Sequence, residues 1–77
     1  MAQIKVYVYA NLRQYVNGAA LVEADIEPGR SLGQVIDQLG IPREQTRILF
    51  VNHRVAKIDD TVQGGERVDV FSAIGGG

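Results

Sequence analysis

The sequence contains no cysteine, no tryptophan, one histidine and two prolines in 77 residues. Without cysteine there is no disulfide staple, and one imidazole with no thiol excludes a compact zinc cluster. Long hydrophobic runs are also missing. The longest apolar stretches are four or five residues, far below the ~20 that a membrane helix needs. The first residues lack the pattern of an export signal, so a cytoplasmic location is the expectation. Neither sign of charge dominates: eight Lys and Arg against nine Asp and Glu leave a net charge of −1. That balance argues against nucleic acid or an anionic membrane as the main partner. One small domain is expected, burying roughly three-fifths of its extended-chain surface. Its stability must come from apolar packing, which 45% hydrophobic residues allow. A deep catalytic cleft is not expected at this size.

What is present reads as alternating strands around one well-marked helix. Over residues 3–10, Ile4, Val6, Val8 and Ala10 share one face, and Lys5, Tyr7 and Tyr9 share the other. Asn11 is placed to cap a short helix carrying Leu12, Tyr15 and Val16, with Asn17-Gly18 ending it. A second strand then puts Ala20, Val22, Ala24 and Ile26 inward and Leu21, Glu23, Asp25 and Glu27 outward, closed by Pro28-Gly29. Ser31 and Gln34 form a capping box, and Leu32, Val35, Ile36 and Leu39 make one apolar stripe. Gly40 stops that helix and Pro42 blocks its continuation. Residues 42–45 read as a turn or a short helical segment, and 48–51 as a buried strand. Asn52-His53 is a turn before a short return strand at 54–57, and residues 59–61 a loop with local side-chain caps. A tight turn at 63–66 leads into a strand at 67–71, with Val68 and Val70 inward.

Strands arranged around one capped helix make an α+β fold, a mixed sheet packed on a main helix. If the last strand lies beside the first at the centre, the architecture is the ubiquitin-like β-grasp. The domain is then 1–71, followed by an extended, flexible glycine-rich tail at 72–77. Parity puts Phe71, Tyr7 and Tyr9 together on the outer sheet face, a candidate partner interface that Ile74 extends. His53 reads as an exposed loop residue, and Glu23, Asp25 and Glu27 as a solvated strand face. Arg43, Arg47, Arg54 and Arg67 are either dispersed or gathered in a basic rim. No catalytic triad or metal cluster is legible.

The opening residues 4–13, IKVYVYANLR, resemble the first strand and short helix of the molybdopterin synthase small subunit. Residues 49–54, LFVNHR, resemble that family's valine-asparagine-glycine turn, with His53 where glycine is usual. The closing GGERVDVFSAIGGG of residues 64–77 resembles its last strand and terminal Gly-Gly, a feature shared with the sulfur carriers of thiamine biosynthesis. The resemblance spans essentially the whole chain. It implies a carrier without catalytic residues, whose Gly77 is adenylated and converted to a thiocarboxylate. ATP would be consumed by a separate ubiquitin-activating-type enzyme, and no cofactor would be bound permanently. A persulfide protein would donate the sulfur, and a larger synthase subunit would use it in molybdopterin assembly. Supply of the thiamine thiazole, protein modification through Gly77, and a purely interacting subunit are the alternatives. Gly75 and Gly76 would thread a narrow channel, since they carry no Cβ. Extended, residues 72–77 reach roughly 20 Å.

Overall fold

The computed structural model describes residues 2–72, so the expectations for Ile74, Gly75, Gly76 and Gly77 lie outside the described residues. Among the described residues seven strands form: β1 (Ala2–Val8), β2 (Leu21–Ile26), β3 (Arg30–Ser31), β4 (Thr46–Val51), β5 (Arg54–Ala56), β6 (Thr61–Val62) and β7 (Arg67–Ser72). One α-helix, α1 (Leu32–Gln38), and two 3-10 segments, Ala10–Val16 and Arg43–Gln45, complete the fold. The main sheet runs β2-β1-β7-β4-β5, and β3 pairs with β6 in a small second sheet. β1 and β7 are parallel and central, while the other main-sheet pairs are antiparallel. This is the β-grasp arrangement that the alternating patterns predict.

The inner face of the sheet and one side of α1 build the core. Ile4, Val6 and Val8 from β1, Ala24 and Ile26 from β2, Leu49 from β4, and Val68 and Val70 from β7 are all buried. Leu32, Val35 and Ile36 of α1 meet them, with Ile41 and Val62 sealing the rim. The capping box forms as expected. Ser31 Oγ accepts from the Gln34 amide at 3.1 Å, and Gln34 Oε1 accepts from the Ser31 amide at 3.0 Å. These two bonds satisfy donors that the first helical turn would otherwise leave open. No helix among the described residues is long and apolar enough to cross a membrane.

Several local expectations are corrected. β1 stops at Val8, and Ala10, expected on the inner face, is exposed at φ 56°. The bend it makes turns the chain straight into the 3-10 segment, so Tyr9 is the cap residue in place of Asn11, without a side-chain bond. Burial of Leu12, which has no exposed surface, decides this geometry over local capping preference. Removing such a side chain costs about 2–5 kcal/mol, against about 1 kcal/mol for a cap. Ala20 is exposed and precedes β2, although its carbonyl still accepts from the Val8 amide at 2.9 Å. Residues 48–51 alternate instead of being buried throughout: Leu49 is buried, whereas Ile48 is 46% exposed. The short pairing of Thr61–Val62 with Arg30–Ser31 falls partly where a loop is expected. Asp60 does cap locally there, accepting from the Lys57 amide at 2.9 Å. β7 continues through Ser72, which is buried.

Candidate docking face

Strand parity assembles the outer sheet face from residues far apart in sequence. The registers place Leu21, Tyr7, Asp69, Phe50 and Val55 in one row crossing all five strands. Beside it, Phe71 is in register with Ile48 and stacks on Tyr9. The next row on the other side, Glu23, Lys5 and Arg67, is polar. The face therefore has a polar half and an apolar half, and the apolar half lies where β7 ends. The exposed large apolar side chains, Leu21 at 41%, Ile48 at 46% and Val55 at 76%, all sit on this face. Apolar exposure on one face of so small a domain makes that face the candidate interaction surface.

The rings are ordered by their contacts. Tyr9 and Phe71 stack with centroids 4.4 Å apart and planes 6° from parallel, while Phe50 meets Phe71 edge-on at 5.6 Å. The Arg67 guanidinium lies over the Tyr7 ring, 3.9 Å from its centroid. Beneath this cover is Asp69, only 6% exposed. Arg67 Nε donates to Asp69 Oδ1 at 2.9 Å and Nη2 to Oδ2 at 3.0 Å. The Tyr9 hydroxyl donates to Oδ2 at 2.6 Å. Pairing with Arg67 holds the Asp69 carboxyl below the usual carboxylate range despite its burial. The same carboxylate, by accepting the hydrogen bond from the Tyr9 hydroxyl, pushes that phenol above its ordinary value. Asp69 likewise raises Arg67.

Tyr7, Tyr9 and Phe71 are thus brought together as their parity predicts. Phe50 and Asp69 join them unannounced. A four-residue apolar run at 48–51 carries no alternation to show that Phe50 faces outward opposite Asp69. Asp69 left a usable signal: a lone carboxylate between two inward valines, two residues from an arginine and so on its face. His53 occupies the exposed hairpin turn at φ 69°. Glu23, Asp25 and Glu27 are exposed, Asp25 accepting from Gln3 Nε2 and Glu27 from Arg30. The arginines do not all share one surface. Arg67 is clamped on the outer face, whereas Arg43 is held by Asp37 of α1. No group of three or more His, Cys, Asp or Glu able to hold a metal occurs among the described residues.

The Mut7-C ubiquitin family model matches residues 1–74. A Pyrococcus furiosus protein assigned as molybdopterin converting factor subunit 1 is 21% identical, with a TM-score of 0.74 over 94% of this chain and 98% of its own. The small archaeal modifier protein 1 of Haloferax volcanii is 17% identical, with a TM-score of 0.75 over 92% of this chain and 97% of its own. A second Haloferax volcanii protein, solved in solution, is 16% identical with a TM-score of 0.76, over 99% of this chain and 87% of its own. No curated protein matches the chain. At these identities the structural likeness speaks for the fold, a ubiquitin-like β-grasp.

Proposed function

The chain belongs to the Mut7-C ubiquitin family, and from that premise we propose that it is a ubiquitin-like sulfur carrier. One observation carries this reading. The apolar half of the outer face lies at the end of β7, the strand that leads into the C-terminal residues, so a partner seated on it is close to Ser72. In this reading the protein is a substrate and a donor, and the catalytic groups belong to its partners.

The chemistry needs an activated carboxylate. The Gly77 carboxylate attacks the α-phosphate of ATP on an adenylating enzyme, forming an acyl-adenylate and releasing pyrophosphate. A persulfide sulfur then attacks the acyl carbon and AMP leaves, giving an acyl disulfide. A thiol cleaves its S–S bond, leaving the thiocarboxylate and a new disulfide. Docking on the outer face converts the first step into an effectively unimolecular one. Glycines at 75–77 let the backbone approach the nucleotide closely. The likeness to a molybdopterin converting factor subunit supports a larger synthase subunit as the sulfur acceptor. The likeness to a modifier protein supports a second reading, in which the activated Gly77 is joined to lysines of other proteins.

The test uses the absence of cysteine. After incubation with ATP, a ubiquitin-activating-type enzyme and a persulfide donor, a thiol alkylator should label this chain at Gly77 alone. Omitting ATP should abolish the label. A label elsewhere, or none, overturns the carrier reading, and isopeptide adducts without thiocarboxylate favour the modifier.

A further inference from the structure

A carboxylate beneath an aromatic face is costly to desolvate unless its oxygens are paired. Asp69 meets that condition, and the way it does so ties together two aromatic groups whose other link is a long 3.5 Å bond from Arg67 Nη2 to the Tyr9 hydroxyl. Its Oδ2 accepts both from the Tyr9 hydroxyl, at 2.6 Å, and from Arg67 Nη2, at 3.0 Å. The first bond anchors the tip of the ring that stacks on Phe71. The second, with the Nε bond to Oδ1, fixes the guanidinium that covers Tyr7. Without Asp69, Arg67 would be a long side chain with many rotamers, and beyond its ring contacts Tyr9 would keep only a 3.5 Å hydroxyl contact with that loosened guanidinium. At 6% exposure, Asp69 offers a partner almost no surface of its own.

We infer that Asp69 is the positioning residue of the docking face, holding Tyr9 on Phe71 and Arg67 on Tyr7 so that the surface is set before a partner arrives. This inference rests on the carrier reading of the same face. Preorganisation acts on affinity by lowering the cost of ordering side chains on binding. It should therefore appear in KM and not in the chemical step.

The experiment compares the parent chain with Asp69→Asn and Tyr9→Phe. Proton NMR reads the ring-current shifts that Tyr9 imposes on Phe71, and adenylation by a ubiquitin-activating-type enzyme gives KM and kcat. Asp69→Asn should move the Phe71 ring signals toward their unstacked positions and raise KM about fivefold or more with kcat unchanged. Tyr9→Phe keeps the ring and loses the hydroxyl's bonds to Asp69 and Arg67, so it remains informative if Asp69→Asn folds poorly. It should raise KM in the same direction. A lowered melting temperature with unchanged KM in both variants overturns the inference, as do unchanged Phe71 shifts in Asp69→Asn. If the parent chain itself is not adenylated, the carrier reading falls, and the ring shifts alone decide whether Asp69 positions the face.

Discussion

Tyr9 and Phe71 lie ring on ring, 4.4 Å between centroids, with Tyr9 one residue past the end of β1 and Phe71 one residue before the end of β7. The pair joins the ends of the two central strands on the outer face, and Phe50 closes its edge. Phe71 is only half-buried, so its truncation removes ring contacts without opening the core. Phe71→Ala is expected to cost about 1–2 kcal/mol of folding stability, the scale of an aromatic pair plus partial burial. Its effect on partner affinity should be larger, about 2 kcal/mol or more, as for an aromatic anchor near the centre of an interface. Urea unfolding and adenylation kinetics give the two numbers. The opposite ranking would assign Phe71 to the core.

The hairpin between β4 and β5 turns through two residues at positive φ, Asn52 at 51° and His53 at 69°. Asn52 tolerates that region and is also tied to β7: its Oδ1 accepts from the Arg67 amide at 3.0 Å and its own amide donates to the Arg67 carbonyl at 2.8 Å. His53 makes no such bond among the described residues and, at φ 69°, carries the strain of a Cβ in a left-handed conformation. His53→Gly should therefore stabilise the protein by about 0.5–1 kcal/mol, after the added unfolded-state entropy of glycine is subtracted. Asn52→Ala should destabilise it by about 1–2 kcal/mol, because one hydrogen bond to β7 is lost and the strain remains. Urea titration of both variants checks the two opposite signs.

The elements whose information is local were legible in the sequence. Ser31 and Gln34 mark the start of α1, and the spacing of Leu32, Val35 and Ile36 marks its buried side. The alternation of Ile4, Val6 and Val8 likewise defines β1, and that of Val68 and Val70 defines β7. The misses have a common cause, which is that tertiary contacts decided them. Thr61–Val62 is too short to show a period and becomes a strand by pairing with Arg30–Ser31. Ala10 takes a left-handed bend because Leu12 must reach the core. Of the candidate docking face, the rings followed from parity, whereas the Asp69 network did not. Its bond to Tyr9 spans a sequence separation of 60 residues and depends on the parallel register of β1 and β7.

Gly64 sits in the turn before β7 at φ 138°, and a Cβ added there would lie 2.5 Å from the Ala2 Cβ. Neither partner can yield easily, since Ala2 opens β1 and the turn is stitched by Gly65 N donating to the Gln3 carbonyl at 2.7 Å. Gly64→Ala should cost about 2 kcal/mol or more, through a conformation glycine alone adopts readily together with a direct clash. Gly65 tests the separation of these causes, because it shares a positive φ of 84° but has open space around it. Gly65→Ala should cost about 1–2 kcal/mol, strain alone. Equal losses in thermal unfolding would show that the Ala2 contact relaxes freely.

The Asp69 network should make stability depend on pH at both extremes, with opposite signs. Arg67 holds the native Asp69 carboxyl below its unfolded value, so Asp69 binds protons more readily unfolded than folded. Its contribution is complete above about pH 4, the unfolded carboxylate value, and disappears as pH falls through the lowered native one. Tyr9 is displaced the other way, its native phenol raised above the unfolded value by the bond to Asp69. That contribution is complete below about pH 10 and disappears as pH rises through the raised native value. Asp69→Asn removes the carboxylate behind both effects, so its stability curve should be flatter than the parent's on the acid and the alkaline limb. Asp37 provides the control. Its carboxyl is also lowered, by Arg43, but its side chain is 56% exposed, where solvent screening leaves little net coupling. Asp37→Asn should therefore leave the acid limb close to the parent's. Urea unfolding across the pH range reads all three proteins, and an unchanged curve for Asp69→Asn would mean that the buried network does not couple protonation to folding.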